Sequence, residues 1–285
     1  MATFLRQRVA NLKHRRAAGD SLSQWLFRGL GRYANTYARK LSLGRDGAEE
    51  LRRKLLASPR LNFGCGYDRR EGFVNVDRDP ACKPEVLIDE VSVAFFPTSF
   101  YETIVAKDVL EHIPRLDTLR MLLLFSDWLA EGGRLDLQTS SILGVADMLR
   151  VKNDFSHHYG MVNCLFGSQV HPGDFHYTGF TETTLKVMLL TSGFTFQEFE
   201  LVDGWLFNVQ ATRGAPWYVW RSDGADLSDR EFMKAVFERA VLRAPNESEA
   251  LLFADTLARG GRRKAALEVF SLPERLETTA RLHGY

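Results

Sequence analysis

Three short apolar runs, each ending in an acidic residue, follow a glycine turn, and this pattern constrains the fold more than any other feature of the chain. Apolar runs of this length are typical of strands buried on both faces of a parallel sheet. Ligands of open α/β sheets bind at the carboxyl ends of such strands, so the pattern predicts a site for a nucleotide-like ligand. The turn is Gly64-Cys65-Gly66, and the acids are Asp77, Asp89 and Asp108.

The glycine turn has two features that depart from a dinucleotide-binding fingerprint. No third glycine follows at the spacing that would complete that fingerprint, so the turn by itself is a weak signal. Only the eight residues 67–74 separate the turn from the next apolar run, whereas a parallel crossover normally takes a dozen or more and contains a helix. The sequence therefore predicts that the first crossover helix is lost or shortened.

Further along, the sequence marks a helix, a second helix and a hairpin. Leucines recur at helical spacing between Leu116 and Leu129, and Gly132-Gly133 is predicted to end that helix. Thr181 is a predicted N-cap for a helix that stops at Gly193. Asp203-Gly204 between two apolar runs predicts a hairpin.

Five segments together carry a resemblance to a known family. They are 61–66, 72–77, 96–101, 108–113, and the set 165–169, 174–176 and 179–180. With them, residues 59 to about 212 resemble a class I S-adenosylmethionine-dependent methyltransferase of the kind found in saccharide and surface-glycan biosynthesis. The resemblance implies an α/β, Rossmann-like, doubly wound and mostly parallel sheet with an antiparallel last strand. It also implies methyl transfer from S-adenosylmethionine to a hydroxyl group of a sugar or glycan, which could be lipid-linked.

The resemblance also implies where the cofactor binds. The methionine part would lie over the turn of Gly64, Cys65 and Gly66, with the ribose hydroxyls on Asp77. Asp89 would face the adenine amino group. The segment from Asp108 to His112 would line the sulfonium side, near the substrate.

Methyl transfer to an alcohol needs a group that removes a proton, and histidines are the candidates. His112 lies just beyond the fourth apolar run; alternatively, Glu111-His112 caps the next helix and shapes the cofactor pocket. Asp174 and His176 lie in the inserted loop. Their predicted roles are to act as bases, to anchor the loop or to contact the substrate. With His171 they could bind a divalent metal, but the loose spacing and the missing fourth ligand favour no metal.

The insertion is also rich in histidine and aromatic residues. His157 and His158 precede the loop as further candidate bases or substrate hydrogen-bond partners. Aromatic side chains are predicted to form apolar walls of a substrate pocket, although each could equally belong to the core. These are Tyr159, Phe166, Phe175, Tyr177 and Phe180.

Charge is distributed unevenly. The net charge is +1, but the first 60 residues hold fourteen Lys and Arg against four Asp and Glu. Residues 1–57 are predicted to form a basic helical segment with an apolar stripe that includes Leu22, Trp25 and Leu30. The favoured interpretation is a helical cap; the alternative is a basic surface that meets anionic lipid headgroups, a polyprenyl-diphosphate carrier or nucleic acid.

The remaining chain divides into a methyltransferase-like domain, 58–222, and a carboxyl-terminal helical domain, 223–285. The latter looks like a small accessory domain of glycan-handling bacterial proteins; a single tetratricopeptide-like hairpin fits nearly as well. Cys65, Cys82 and Cys164 are too scattered for a disulfide framework or a zinc site, and no apolar stretch is long enough for a membrane span. We therefore expect a cytoplasmic protein, with membrane-peripheral contact as a further possibility.

Two other functions remain as alternatives. A nucleic-acid methyltransferase would use the basic segment as its footprint, but the arginines have few interleaved aromatic residues and the rest of the chain is acidic. A degenerate methyltransferase fold could serve as a scaffold with the helical tail as its interaction module. The missing third glycine and the short crossover favour this interpretation, whereas Asp77, Asp89 and Asp108 oppose it.

Overall fold

The computed structural model describes residues 44–88, 92–170, 173–214 and 227–285. Several predictions fall outside these ranges: the N-terminal stripe, Asp89, His171 and the boundary at residue 222. One compact unit contains the described residues from 54 to 87 and from 96 onwards. The other includes residues 44–53, 88 and 92–95, with most of helix α1 (Gly44–Leu55) and a 3₁₀ turn, Ser92–Phe95.

A seven-stranded sheet forms the centre of the larger unit. Its spatial order is β3-β2-β1-β4-β5-β7-β6. The first five strands in this order pair in parallel, and β7 runs antiparallel to both of its neighbours. The strands are β1 (Arg60–Phe63), β2 (Val74–Asp77), β3 (Val86–Leu87), β4 (Tyr101–Lys107), β5 (Leu129–Ser140), β6 (Phe194–Val202) and β7 (Leu206–Arg213).

Helices connect and flank the strands. Those before β6 are α2 (Arg115–Trp128), α3 (Ile142–Val151), α4 (Phe155–Phe166) and α5 (Glu182–Thr191). After β7 come α6 (Asp229–Val241), α7 (Glu247–Phe270) and α8 (Pro273–His283). No helix within the described ranges is both long and apolar enough to cross a membrane.

The β1–β2 crossover contains no helix among its described residues, which confirms the prediction from its length. Two buried asparagines organise it instead. The Asn62 amide donates to Asn75 Oδ1 and to the carbonyl of Asp68, both at 2.8 Å. Asn75 also accepts from the Arg70 N–H at 2.8 Å and donates to the Arg70 carbonyl at 3.0 Å. Side-chain amides therefore bond the backbone polar groups that a crossover helix would have satisfied internally.

Helix α2 ends earlier than the glycines predicted. It stops at Trp128, and Gly132 and Gly133 lie inside β5, so the predicted end was wrong. The segment that leads into β4 explains this early end. The N–H groups of Ser99 and Phe100 donate to the carbonyls of Asp127 and Trp128 at 2.8 and 2.9 Å. Bonds from another segment satisfy the last carbonyls, so the helix needs no glycine cap.

The last helix before β6 and the hairpin follow the sequence closely. The Thr181 hydroxyl accepts from the Thr184 N–H in a capping box at the start of α5. Gly193 has a φ of +82°, as expected for the residue that follows a helix end. Asp203 and Gly204 have φ of +54° and +78°, which is the left-handed pair that a tight hairpin turn requires.

The helices after residue 227 share a hydrophobic core with α2. Leu119 and Leu123 of α2 belong to the same buried cluster as Phe232, Phe237 and Phe270. The Arg263 guanidinium also donates to the carboxylate of Asp127, which is almost fully buried. The predicted accessory-domain role of this segment stays a prediction; its packing makes it part of the unit that contains the sheet.

Candidate functional site

The turn after β1 needs glycine at two positions for different reasons. Gly64 has a φ of +65°, and a Cβ atom there would lie 2.5 Å from Val109 Cγ2. Gly66 has a φ of +49°, and nothing lies within 4 Å of the position of its absent Cβ. Gly64 therefore allows close packing against the end of β4, while the space beside Gly66 stays open to a ligand.

Asp77 lies directly beside this turn, at the carboxyl end of β2. One carboxylate oxygen accepts from the Gly66 N–H at 2.7 Å, and the other accepts from the Asp79 N–H at 2.8 Å. The Cys65 N–H donates to the Val76 carbonyl at 3.0 Å, which ties the turn to β2. A carboxylate has about four lone-pair sites, so Asp77 can accept further hydrogen bonds while it holds the turn.

Cys65 contributes its backbone rather than its thiol. Burial, with the negative charge of Asp77 next in importance, raises the pKa of the Cys65 thiol to about 12. Burial also raises the pKa of the Cys164 thiol. Neither thiol is a nucleophile near neutral pH, because only the thiolate reacts.

Asp108 occupies the carboxyl end of β4 in a left-handed conformation, with a φ of +53°. Its N–H donates to the Gln138 carbonyl at 3.0 Å, which extends the β4–β5 pairing by one residue. The side chain is exposed, yet the surrounding protein displaces enough water to raise its pKa, against the opposing effects of His112 and Lys107. Asp108 thus adds a second carboxylate to the edge of the sheet where Asp77 lies.

The structure brings His112 and His176 into contact, although 63 residues separate them in the chain. Their rings meet edge to face with centroids 4.7 Å apart. Nδ1 of His112 lies 3.2 Å from the Phe175 carbonyl, and Nδ1 of His176 lies 3.1 Å from the Cys164 carbonyl. A carbonyl only accepts, so each Nδ1 carries a proton, and in the neutral form of either ring the lone pair lies on Nε2.

The environment of His176 favours its neutral form. Desolvation lowers its pKa and His112 lowers it further, whereas the Cys164 carbonyl and Asp174 act in the opposite direction. The pKa therefore lies below its usual 6.5, and the ring is neutral at pH 7. A neutral imidazole with a free lone pair on Nε2 is the form that a general base requires.

Asp174 helps to shape the loop that carries His176. Its carboxylate accepts from the Ser168 hydroxyl. Gly167, with a φ of +75°, allows the chain to pass so closely that a Cβ there would overlap the Asp174 carbonyl oxygen. The His176 N–H then donates to the Phe166 carbonyl at 3.1 Å. These contacts anchor the loop; the catalytic role of Asp174 stays a prediction.

Glu111 is a central side chain that the sequence suggested only as part of a helix cap. It is 2% exposed, and its Oε2 accepts from the Thr139 hydroxyl at 2.9 Å. Desolvation is the main cause that raises its pKa to about 7, and the charge of Asp108 adds to it. Its carbonyl accepts from the N–H groups of Tyr177 and Thr178 at 2.7 and 3.2 Å. Glu111 thus connects β4, β5 and the loop that carries His176.

The suggested helix-capping role for Glu111-His112 is wrong. Helix α2 begins after Pro114, without a side-chain cap, and Glu111 and His112 lie in a separate 3₁₀ turn. A polar run at the end of β5, Thr139-Ser140-Ser141, was the sequence signal that could have located the partner of Glu111. Such polar residues at a buried strand end need partners.

Other predicted site residues lie elsewhere. The Nε2 atoms of His157 and His158 contact the carbonyls of Met148 and Leu149 at 2.7 and 3.1 Å, near the end of α3. Phe180, a predicted pocket wall, is fully buried in the core. Within the described residues, no group of three His, Cys, Asp or Glu side chains is arranged to hold a metal ion. His171 and Asp89 lie outside those residues.

The strand order with an antiparallel β7 confirms the predicted sheet. This is the class I methyltransferase fold. No protein-family model matches the sequence, and no curated protein is significantly similar to it.

Solved structures show weak similarity. One is a possible exported protein from Bordetella parapertussis, with 16% identity over 60% of this chain and 68% of that one and a TM-score of 0.39. Another is the 1,6-didemethyltoxoflavin-N1-methyltransferase of Burkholderia thailandensis, with 15% identity, 65% and 90% coverage and a TM-score of 0.38. A third is the N-methyltransferase NodS of Bradyrhizobium japonicum, with 18% identity, 59% and 86% coverage and a TM-score of 0.35. Similarity at this level does not indicate a substrate or an activity for this chain.

Proposed function

We propose that the protein is an S-adenosylmethionine-dependent O-methyltransferase whose acceptor is a sugar or glycan. The observation that carries this proposal is Asp77 bonded to the Gly66 N–H at the carboxyl edge of the sheet. The open space beside Gly66 and the unused lone pairs of Asp77 fit a ribose and the methionine chain that follows it. Val109, which packs on Gly64, precedes the turn that contains His112, so the proposed cofactor and base regions are directly connected.

The protein's own part in the reaction is positioning and proton transfer. When bound, S-adenosylmethionine supplies an electrophilic methyl group on a sulfonium. The Gly64–Gly66 turn and Asp77 would hold it so that the methyl carbon would pass to the acceptor oxygen, with the electron pair of the broken carbon–sulfur bond left on sulfur. Nε2 of His112 or His176 accepts the hydroxyl proton, and the Nδ1 contacts to the carbonyls of Phe175 and Cys164 hold the rings in orientation.

Cofactor binding is tested by titrating the full chain with S-adenosylmethionine and S-adenosylhomocysteine by calorimetry. Asp77→Ala should weaken binding roughly 10- to 150-fold, because it removes a charged hydrogen bond worth ~1.5–3 kcal/mol. Asp79→Ala is the matched control, since its side chain accepts from the Ala81 N–H and should leave affinity unchanged. Equal affinity in all three proteins would refute the placement of the ribose. No binding to the unsubstituted protein would instead favour a scaffold role.

The roles of the histidines are tested by transfer of labelled methyl groups to a panel of alkyl glycosides and nucleotide sugars. If one histidine is the base, replacing it with alanine should lower turnover by about 10²–10⁴ while cofactor affinity stays the same. His112→Gln should also raise the pKa of His176, because His112 lowers that pKa. An NMR titration of His176 measures the change. Full activity in both alanine variants would exclude both residues as the base.

We also propose that the basic segment 1–57 meets an anionic membrane surface or a lipid-linked carrier. Its excess of arginine and lysine supports this proposal. Sedimentation with vesicles of anionic or neutral lipid should show salt-sensitive binding to the anionic vesicles alone.

A further inference from the structure

Helix α4 presents a stripe of apolar side chains to solvent. The stripe consists of Phe155, Tyr159, Val162 and Phe166, which are 80%, 60%, 43% and 55% exposed. Their spacing of four, three and four residues places them within about 60° of one another around the helix. No residue of α4 is buried. A continuous apolar stripe of this kind on a protein surface indicates a binding site.

The polar side of α4 already has its partners. His157 and His158 bond to carbonyls near the end of α3, so polar side chains face a neighbouring helix while aromatic ones face water. This is the reverse of an ordinary surface helix, whose apolar side faces the protein. Packing within the described fold therefore does not account for the stripe.

The stripe is continuous with the candidate catalytic centre. The carbonyl of Phe166, at its carboxyl end, accepts from the His176 N–H at 3.1 Å. The carbonyl of Cys164, in the same turn of helix, lies 3.1 Å from Nδ1 of His176. From there the stripe extends about 16 Å to Phe155, at 1.5 Å per residue. An apolar chain lying on it would place its attached head group at the histidines.

Charge around the far end of the stripe favours a single apolar chain over a membrane surface. Arg150 pairs with Asp147 at 2.5 Å, and Lys152 pairs with Asp154 at 2.8 Å. Helices that lie in anionic membranes carry an excess of lysine and arginine beside their apolar side. Here the neighbouring cations are neutralised by acids, so the attraction to anionic headgroups is weak.

We propose that the α4 stripe binds the apolar tail of the acceptor, and that the acceptor is an amphiphile whose hydroxyl-bearing head lies at His112 and His176. This inference rests on the proposed function. It assigns the acceptor's chemical class and the surface that selects it. An acceptor with the same head and no tail is a poor ligand.

The test compares two probes that share a head group, dodecyl glucoside below its micellar concentration and methyl glucoside, by calorimetry on the full chain. Dodecyl glucoside should bind, and methyl glucoside should bind at least tenfold more weakly. The double variant Tyr159→Ser/Val162→Ser should weaken binding of the dodecyl probe at least tenfold, because both side chains lose apolar contact. Both positions are exposed, so the fold should be retained; thermal unfolding checks this.

The matched control is Leu251→Ser/Leu252→Ser, an apolar pair on α7 that is 74% and 58% exposed. It should leave binding of the dodecyl probe unchanged. Equal binding by the two double variants would overturn the proposal. Association of the protein with neutral vesicles but not with the monomeric probe would also overturn it, in favour of a membrane surface. A dimer in sedimentation that the α4 double variant dissociates would overturn it in favour of a second copy of the chain. Binding of the dodecyl probe without any binding of S-adenosylmethionine would refute the proposed function and leave the apolar-chain site standing.

Discussion

Replacing Glu111 with glutamine should remove a large pH-dependent contribution to stability. Glu111 is buried, and its pKa rises from an ordinary value of 4.5 to about 7. Glutamine has nearly the same shape and keeps an oxygen that can accept from the Thr139 hydroxyl. It cannot ionise, so the comparison isolates the energy of placing a charge at this position.

The sign and size follow from linkage between folding and protonation. A carboxyl whose folded pKa is raised contributes stability that is fully present below pH 4.5 and is lost as the pH rises to about 7. A difference of about 2.5 pKa units corresponds to ~3 kcal/mol. The variant should therefore match the parent near pH 4 and exceed its free energy of unfolding by ~3 kcal/mol at pH 8.

Urea unfolding of both proteins from pH 4 to pH 8.5 measures this difference directly. Glu182→Gln serves as the control, because Glu182 lies on the surface in an ion pair with Lys186 and such pairs are worth ~0–1 kcal/mol. Asp108→Asn should shift the midpoint of the Glu111 difference to lower pH, since Asp108 helps to raise the pKa. A flat difference between parent and variant, or one that favours the parent as pH rises, would refute the reasoning.

Substitutions at two further contacts test the packing of the glycine turn and the attachment of the carboxyl-terminal helices. Gly64→Ala should destabilise the fold by ~2 kcal/mol or more, because φ is positive and the new Cβ would lie 2.5 Å from Val109 Cγ2. Gly66→Ala should cost only ~1 kcal/mol, because φ is positive there too but nothing lies within 4 Å of the new Cβ. Adding Val109→Ala should recover part of the Gly64→Ala loss in a double-mutant cycle, and simple additivity would contradict the contact. Arg263→Met should cost ~1–3 kcal/mol because it leaves the buried Asp127 carboxylate without its cation. Arg120→Met, which breaks the more exposed pair with Glu268, should cost less than ~1 kcal/mol, and equal losses in urea unfolding would refute the distinction.

The sequence predicted those parts of the site that depend on neighbours close in the chain. Gly64, Gly66 and Asp77 meet because a strand, a turn and the next strand follow one another within seventeen residues, numbers 61 to 77. The short crossover was readable from its length alone. Thr181 and Asp203-Gly204 were likewise readable, because helix caps and hairpin turns are properties of a few consecutive residues.

Other features depended on segments that are distant in the chain. His112 and His176 were separate candidates in the sequence, and only the folded loop brings their rings together. The end of α2 was mispredicted because bonds from Ser99 and Phe100, rather than its own glycines, determine it.

The sequence by itself determined the alternation of strands and helices, the glycine turn and the acids at the strand ends, since these follow from backbone geometry and local hydrogen bonding. Tertiary structure alone decided that Glu111 is a buried carboxyl bonded to Thr139, and that the aromatic side of α4 faces solvent. Burial and the resulting pKa depend on which side chains exclude water from a group. Those side chains come from elements that only the fold brings together.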